Sequence, residues 1–129
     1  MKAVYLDHAA TTPIRNEVRE AMEPYLSESF GNPSSLHRWG REASAALEDA
    51  RATVAEALGA HSREIYFTRG GTESDNLAVL GCCEFMKTHE KRLTLVVSAI
   101  EHSAVLDPAK LITERQGVDL VTLPVSQDG

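Results

Sequence analysis

A glycine-rich segment between an apolar run and a helical pattern constrains the fold more than any other part of the chain. Residues 65–67 are apolar and β-prone, Gly70 and Gly71 permit a tight turn, and residues 77–80 resemble the buried side of a helix. This order predicts a strand, a turn and then a helix. Thr72 is predicted to be the N-cap, with Asp75 three residues later as an acidic variant of the capping box.

The first turn of this predicted helix is suited to binding an anion. Its backbone N–H groups lack acceptors within the helix, and the helix dipole is positive at this end. We therefore predict a phosphate site beside Gly70 and Gly71. On the loop alone, a capped helix that follows a tight turn and binds nothing is an equally good interpretation. The segment matches neither G-x-x-x-x-G-K-[ST] nor G-x-G-x-x-G, which argues against a P-loop or a dinucleotide fold.

The composition indicates one soluble globular unit. The chain has 129 residues, is 43% hydrophobic and carries a formal net charge of -6. Its acidic balance and lack of a Lys/Arg cluster argue against a nucleic-acid partner. The sequence shows neither a signal-peptide pattern nor an apolar run long enough for a membrane span, so we expect a cytoplasmic location.

The two cysteines, Cys82 and Cys83, are adjacent in a predicted helix. Successive side chains on a helix point about 100° apart, so a shared metal or an unstrained disulfide is unfavourable. We predict that both are buried structural thiols. No C-x-x-C or zinc-type Cys/His spacing is present, so no protein-bound metal is predicted.

Helices separate the predicted strands, which implies parallel β-α-β connections and an α/β class. Ser35 is predicted to cap the second helix, whereas Gly59 and Gly117 are predicted to end the second and fourth helices. The continuous apolar run of the first strand predicts a strand covered on both faces. The predicted helices cover residues 15–26, 36–58, 72–87 and 103–116, and the strands cover residues 93–98 and 118–123.

The domain prediction is an extended segment at residues 1–14, followed by an α/β portion at residues 15–129. Two or three strands with four helices leave an exposed sheet edge and much unmatched apolar surface. We therefore expect the rest of a larger domain, or another chain, to complete this sheet.

Four segments of the chain, in order, resemble the cysteine desulfurases of the class V aminotransferase group. The resemblance runs along the whole chain but covers only about the first third of a family member. The segments are YLDHAATTP at residues 5–13, FGNPSS at 30–35 with His37 and Gly40, FTRGGTESDN at 67–76, and EHSAVL at 101–106.

The resemblance implies a fold type I enzyme that depends on pyridoxal 5′-phosphate and is usually a homodimer. Such a transferase removes sulfur from L-cysteine, leaving L-alanine and an enzyme persulfide for iron–sulfur cluster or thio-cofactor assembly. An iron–sulfur scaffold or another sulfur-acceptor protein is then an implied partner. In these terms, residues 15–129 would be the N-terminal portion of the cofactor-binding large domain, which has a mainly parallel sheet and flanking helices.

The resemblance also implies roles for three residues. Gly71 and Thr72 would hold the cofactor phosphate, and His102 would stack on the pyridine ring and take part in proton transfers. His102 follows an apolar strand, at the end where α/β sheets bind ligands, although a helix cap is the commoner role for such a histidine. The remaining histidines are predicted to be structural or solvated, namely His8, His37, His61 and His89.

The resemblance also shows what the sequence lacks. The family's Schiff-base lysine lies in a Ser-x-His-Lys context, which none of Lys2, Lys87, Lys91 and Lys110 has. Neither cysteine matches the family's mobile catalytic cysteine, so this chain alone is not expected to desulfurate cysteine. Two alternatives stay open: another member of the group, such as a selenocysteine lyase, and a truncated paralogue that binds a full-length desulfurase or a scaffold protein.

Overall fold

The computed structural model describes residues 3–90 and 92–128, which form two compact units, Met1–Tyr66 and Phe67–Gly129. Lys2 and Lys91, which lack the Ser-x-His-Lys context, and Gly129, the last residue of the predicted α/β portion, lie outside the described residues. The proposed division at residue 14 stays a prediction.

Two helices dominate the first unit. Helix α1 covers Asn16–Ser27 and helix α2 covers Arg38–Leu58, close to their predicted spans. The prediction that Ser35 caps α2 is wrong, because the helix begins later and His37 is its N-cap, accepting from the Gly40 N–H through Nδ1 at 3.3 Å. The Ser35 carbonyl lies against Gly40, so the chain is still in the loop at that point.

The end of α2 leads into a 3₁₀ turn at Ser62–Glu64. Gly59 ends the helix as predicted, with a left-handed φ of 66°. The strand predicted at residues 65–67 is wrong within the described structure. Ile65 is extended, but its carbonyl accepts a hydrogen bond from the Arg51 side chain instead of from a neighbouring strand.

The second unit contains a β-α-β connection, preceded by helix α3 at Gly71–Lys87. Strand β1 covers Thr94–Ser98, helix α4 covers Ser103–Gln116 and strand β2 covers Asp119–Leu123. The two strands are parallel, pairing Thr94 with Asp119 and Ser98 with Leu123, which confirms the α/β class. Gly117 ends α4 with a φ of 65°, as predicted.

The core of the second unit lies between α3, α4 and the sheet. Buried Cys83, Ile112 and Val118 form its centre, and Leu80, Leu93 and Leu95 pack around them. The prediction that β1 is covered on both faces is wrong. Val97 is buried, but Val96 on the opposite face is 51% exposed, so the helices cover only one side of this strand.

The two cysteines differ in environment because the helix turns between them. Cys83 is buried, as predicted, whereas Cys82 is exposed and that half of the prediction is wrong. Burial, followed by the neighbouring Cys82, raises the pKa of the Cys83 thiol. Both cysteines are free. Separately, none of the helices within residues 3–90 and 92–128 has the length and apolar character needed to cross a membrane.

Candidate functional site

The candidate anion site lies at the first turn of α3. The helix begins at Gly71 with Gly70 as the N-cap, so the prediction that Thr72 is the N-cap is wrong. The first helical hydrogen bond joins the Ser74 N–H to the Gly70 carbonyl at 3.1 Å. Thr72 therefore lies inside the first turn, where its N–H group points out of the helix end rather than at a preceding carbonyl.

Donors without partners converge at this helix end. Among the described residues, no acceptor binds the N–H groups of Gly71, Thr72 and Glu73 or the Thr72 hydroxyl. These groups border an open cavity of about 540 Å³, which is lined by residues 69–73 and Asn76. A Cβ atom added to Gly70 or Gly71 would meet nothing within 4 Å, so an anion can approach the backbone closely.

A carboxylate beside this helix end is paired with an arginine. Glu73 Oε2 accepts from the Arg69 backbone N–H at 2.7 Å and from Arg69 Nε at 3.2 Å. The backbone N–H, followed by the guanidinium, lowers the pKa of the Glu73 carboxyl. This pair was not predicted from the sequence, although opposite charges four residues apart are a recognisable signal.

The Thr68 and Ser74 side chains tighten the turn before the helix. Their hydroxyl oxygens lie 2.6 Å apart, so one hydroxyl donates to the other, and the oxygens lie 3.2 and 3.3 Å from the Gly70 carbonyl oxygen, within hydrogen-bond distance. Among the described residues, Asp75 accepts no hydrogen bond from the Thr72 N–H, so the capping box predicted there is wrong. The short side chains of Thr68 and Ser74 stabilise the turn before α3, and they leave Gly70 and Gly71 uncovered.

His102 is the N-cap of α4, a few residues beyond the carboxyl end of β1. Its Nδ1 atom accepts a hydrogen bond from the Ala104 N–H at 3.1 Å. In the neutral ring, the proton must then lie on Nε2, which has no partner among the described residues. The cap fixes the ring and leaves one nitrogen available to a ligand.

Asn76 links the two predicted site regions. Its Nδ2 atom donates to the Thr72 carbonyl at 2.8 Å and to the Ala104 carbonyl at 3.3 Å. The structure therefore brings the first turn of α3 and the His102 end of α4 together within the second unit. This role of Asn76 was not predicted, because its second acceptor is distant in sequence.

The other histidines make local contacts. His37 and His61 belong to the start of α2 and the 3₁₀ turn, respectively, which agrees with the structural roles predicted for them. His8 packs edge-on against Tyr5 with ring centroids 5.1 Å apart, and His89 lies against Thr88 and the Phe85 carbonyl. Within the described residues, no group of three or more His, Cys, Asp or Glu side chains is placed to hold a metal ion.

A model of the family described as aminotransferase class-V matches residues 4–129. The chain belongs to this family. Among class V relatives, it is 50% identical over 128 residues to a cysteine desulfurase IscS of Dictyoglomus turgidum, covering 99% of this chain and 32% of that protein. It is 45% identical over 129 residues to a putative cysteine desulfurase IscS 1 of Bacillus subtilis, covering 100% of this chain and 33% of that protein.

Solved structures of class V relatives share the fold. A NifS-like protein matches 90% of this chain and 31% of its own chain, with a TM-score of 0.81 and 36% identity. The apo structure of a cysteine desulfurase from Thermococcus onnurineus matches 98% of this chain and 31% of its own, with a TM-score of 0.82 and 30% identity. The chain thus spans about a third of the length of these relatives, and it matches the N-terminal part of their structures.

Proposed function

We propose that this chain supplies the phosphate-binding portion of a cysteine desulfurase that depends on pyridoxal 5′-phosphate. The observation that carries the proposal is the set of unpartnered N–H groups at Gly71, Thr72 and Glu73, together with the Thr72 hydroxyl, beside an open cavity. Kinship with cysteine desulfurases named IscS supports the choice of ligand.

In this proposal, Gly71 and Thr72 bind the phosphate through backbone N–H groups and a hydroxyl. His102, fixed through Nδ1, would lie beside the ring and would hold or move a proton at Nε2. The bound cofactor supplies an electron sink that permits bonds to the substrate α- and β-carbons to be remade. The Arg69 contacts keep the Glu73 carboxylate from competing with the phosphate at the helix end.

The complete reaction would convert L-cysteine to L-alanine while its sulfur atom passes to a cysteine thiol, forming a persulfide. The sequence printed here contains neither a lysine in the Ser-x-His-Lys context nor a cysteine that matches the mobile one. The proposed activity therefore needs further residues from the same polypeptide or from another chain. The homodimer, the sulfur-acceptor partner and the cytoplasmic location stay predictions.

The proposal is tested by titrating the ¹⁵N-labelled chain with pyridoxal 5′-phosphate and following its backbone amide signals. We expect shifts at residues 71–73, competition by inorganic phosphate, and affinity about tenfold weaker in a Thr72→Val variant, which lacks one hydrogen bond to a charged group. Thr88→Val, at the opposite end of α3, is the matched control and should bind like the parent chain. Unchanged signals at residues 71–73 would contradict the proposal.

A second arm tests the complete site. The candidate C-terminal remainder is added before borohydride reduction, and covalent attachment of the cofactor is measured by mass spectrometry. Attachment only when both pieces are present would support a shared active site. No binding in either arm would instead favour the truncated paralogue, and affinity for a full-length desulfurase would then be measured.

A further inference from the structure

Pro108 lies inside α4 and removes one of its hydrogen bonds. Proline has no backbone N–H, so the carbonyl four residues earlier, that of Ala104, has no donor within the helix. Both Ala104 and Pro108 are buried, where an unsatisfied carbonyl is costly. Asn76 Nδ2, from α3, donates to this carbonyl at 3.3 Å.

Ala104, which accepts this bond, is also hydrogen-bonded to His102. The Ala104 N–H donates to His102 Nδ1 at 3.1 Å, while the Ala104 carbonyl accepts from Asn76. The same Asn76 nitrogen donates to the Thr72 carbonyl at 2.8 Å. A single side-chain amide is thus bound to the first turn of α3 and to the first turn of α4.

We propose that Asn76 is a positioning residue that holds the His102 end of α4 against the first turn of α3, by satisfying the carbonyl that Pro108 leaves without a donor. The catalytic value of this arrangement rests on the proposed function above. The position of Asn76 is itself fixed, because its side-chain amide donates to two carbonyls and its backbone is part of helix α3.

The proposal is tested on the full chain without cofactor, by comparing the parent with Asn76→Ala. The readouts are the ¹⁵N shifts of the His102 imidazole, which report its tautomer, and hydrogen exchange at the Ala104 amide. We expect the parent ring to carry its proton on Nε2, the variant to lose this preference, and Ala104 exchange to accelerate about tenfold. Glu84→Ala, an exposed position on the same helix, is the matched control and should change neither readout.

Three results would overturn the proposal at this stage. One is an unchanged His102 signal in Asn76→Ala. A second is equal acceleration at the amides of Ala104 and Ile112, since Ile112 lies in the core and would report a general loss of stability. A parent ring without a tautomer preference would overturn it as well.

Pro108→Ala provides a rescue, because it restores a backbone N–H to the Ala104 carbonyl. In this background we expect Asn76→Ala to accelerate Ala104 exchange by less than about threefold, and the His102 tautomer to be preserved. Equal effects of Asn76→Ala in both backgrounds, or a double variant that fails to fold, would contradict the proposal. Since no readout uses pyridoxal 5′-phosphate, failure here is distinguishable from failure of the proposed function.

Discussion

Different interactions stabilise the interior of each of the two units of this chain. In Met1–Tyr66, α1 has no buried residue and α2 buries only Gly40 and Ala55. In Phe67–Gly129, α4 alone buries four residues and contributes Ile112 to a core shared with α3 and the strands. Local interactions, such as helix caps and close backbone contacts, therefore stabilise the first unit, whereas burial of apolar side chains stabilises the second.

Apolar faces in the first unit illustrate the difference. Residues of α1 and α2 line an open groove of about 690 Å³, which includes Tyr25 and Leu47. Leu47 is 38% exposed, while Ile112 in the second unit is 2% exposed. Apolar side chains on the helices of the two units are thus buried to different extents, so we expect their truncation to change the free energy of unfolding by different amounts.

The largest expected effect comes from truncating the core of the second unit. Ile112→Ala leaves a cavity beside Cys83 and Val118 and should lower the free energy of unfolding by about 2–5 kcal/mol. The matched change in the first unit, Leu47→Ala, should cost less than about 1 kcal/mol because the side chain is partly exposed. Urea unfolding followed by circular dichroism measures both, and equal costs would remove the contrast between the units.

The next effect concerns the close backbone contact in the first unit. A Cβ atom at Gly40 would lie 2.1 Å from the Ser35 carbonyl oxygen, so Gly40→Ala must displace the loop before α2 and should cost about 1–3 kcal/mol. Fluorescence of Trp39, the single tryptophan, reports this unfolding directly.

Gly81→Ala is the matched control in the second unit. Its added Cβ would meet only Leu77 Cδ1 at 3.9 Å, so the variant should be neutral or more stable by about 0.5–1 kcal/mol. Destabilisation by both glycine variants to the same degree would show that the contact between Gly40 and Ser35 is not specific to the first unit.

A smaller effect is expected where the two units are alike. Gly59 and Gly117 end α2 and α4 with φ values of 66° and 65°, and an added Cβ would meet nothing within 4 Å at either. Alanine at each position should cost about 1 kcal/mol, from the left-handed backbone alone. Thermal unfolding checks this, and a large difference between the two variants would mean that tertiary contacts also act at one helix end.

The smallest effect is expected from Glu73→Gln. Because Arg69 lowers the pKa of this carboxyl, its stabilising contribution is present above the ordinary value of 4.5 and is lost as the pH falls through the folded-state value. The variant should therefore be slightly less stable than the parent at neutral pH, and this difference should shrink as the pH falls below 4.5, because the parent loses the contribution that the variant already lacks. Melting temperatures across this range test it, with Glu84→Gln as the control; identical acid limbs in parent and variant would contradict it.

Helix positions were largely predictable because their signals are local. Glycines after α2 and α4, turn residues before α2, and the apolar run of β1 placed four helices and two parallel strands within a few residues. The helix starts were less accurate: Thr72 and Ser35 have the right chemistry for N-caps, but Gly70 and His37 occupy those positions. Several polar residues near each start compete for the role, and their relative fit depends on how the preceding loop packs.

The candidate site divides in the same way. The sequence by itself determined that a glycine turn precedes α3 and that α4 begins directly after His102, because glycine flexibility and helix capping act over a few residues. Only the tertiary structure decided that Asn76 joins these two helix ends, that Cys82 is exposed while Cys83 is buried, and that residues 65–67 form no strand. Each of these depends on a donor, an acceptor or an apolar surface distant in sequence, and only the packed chain brings such groups into contact.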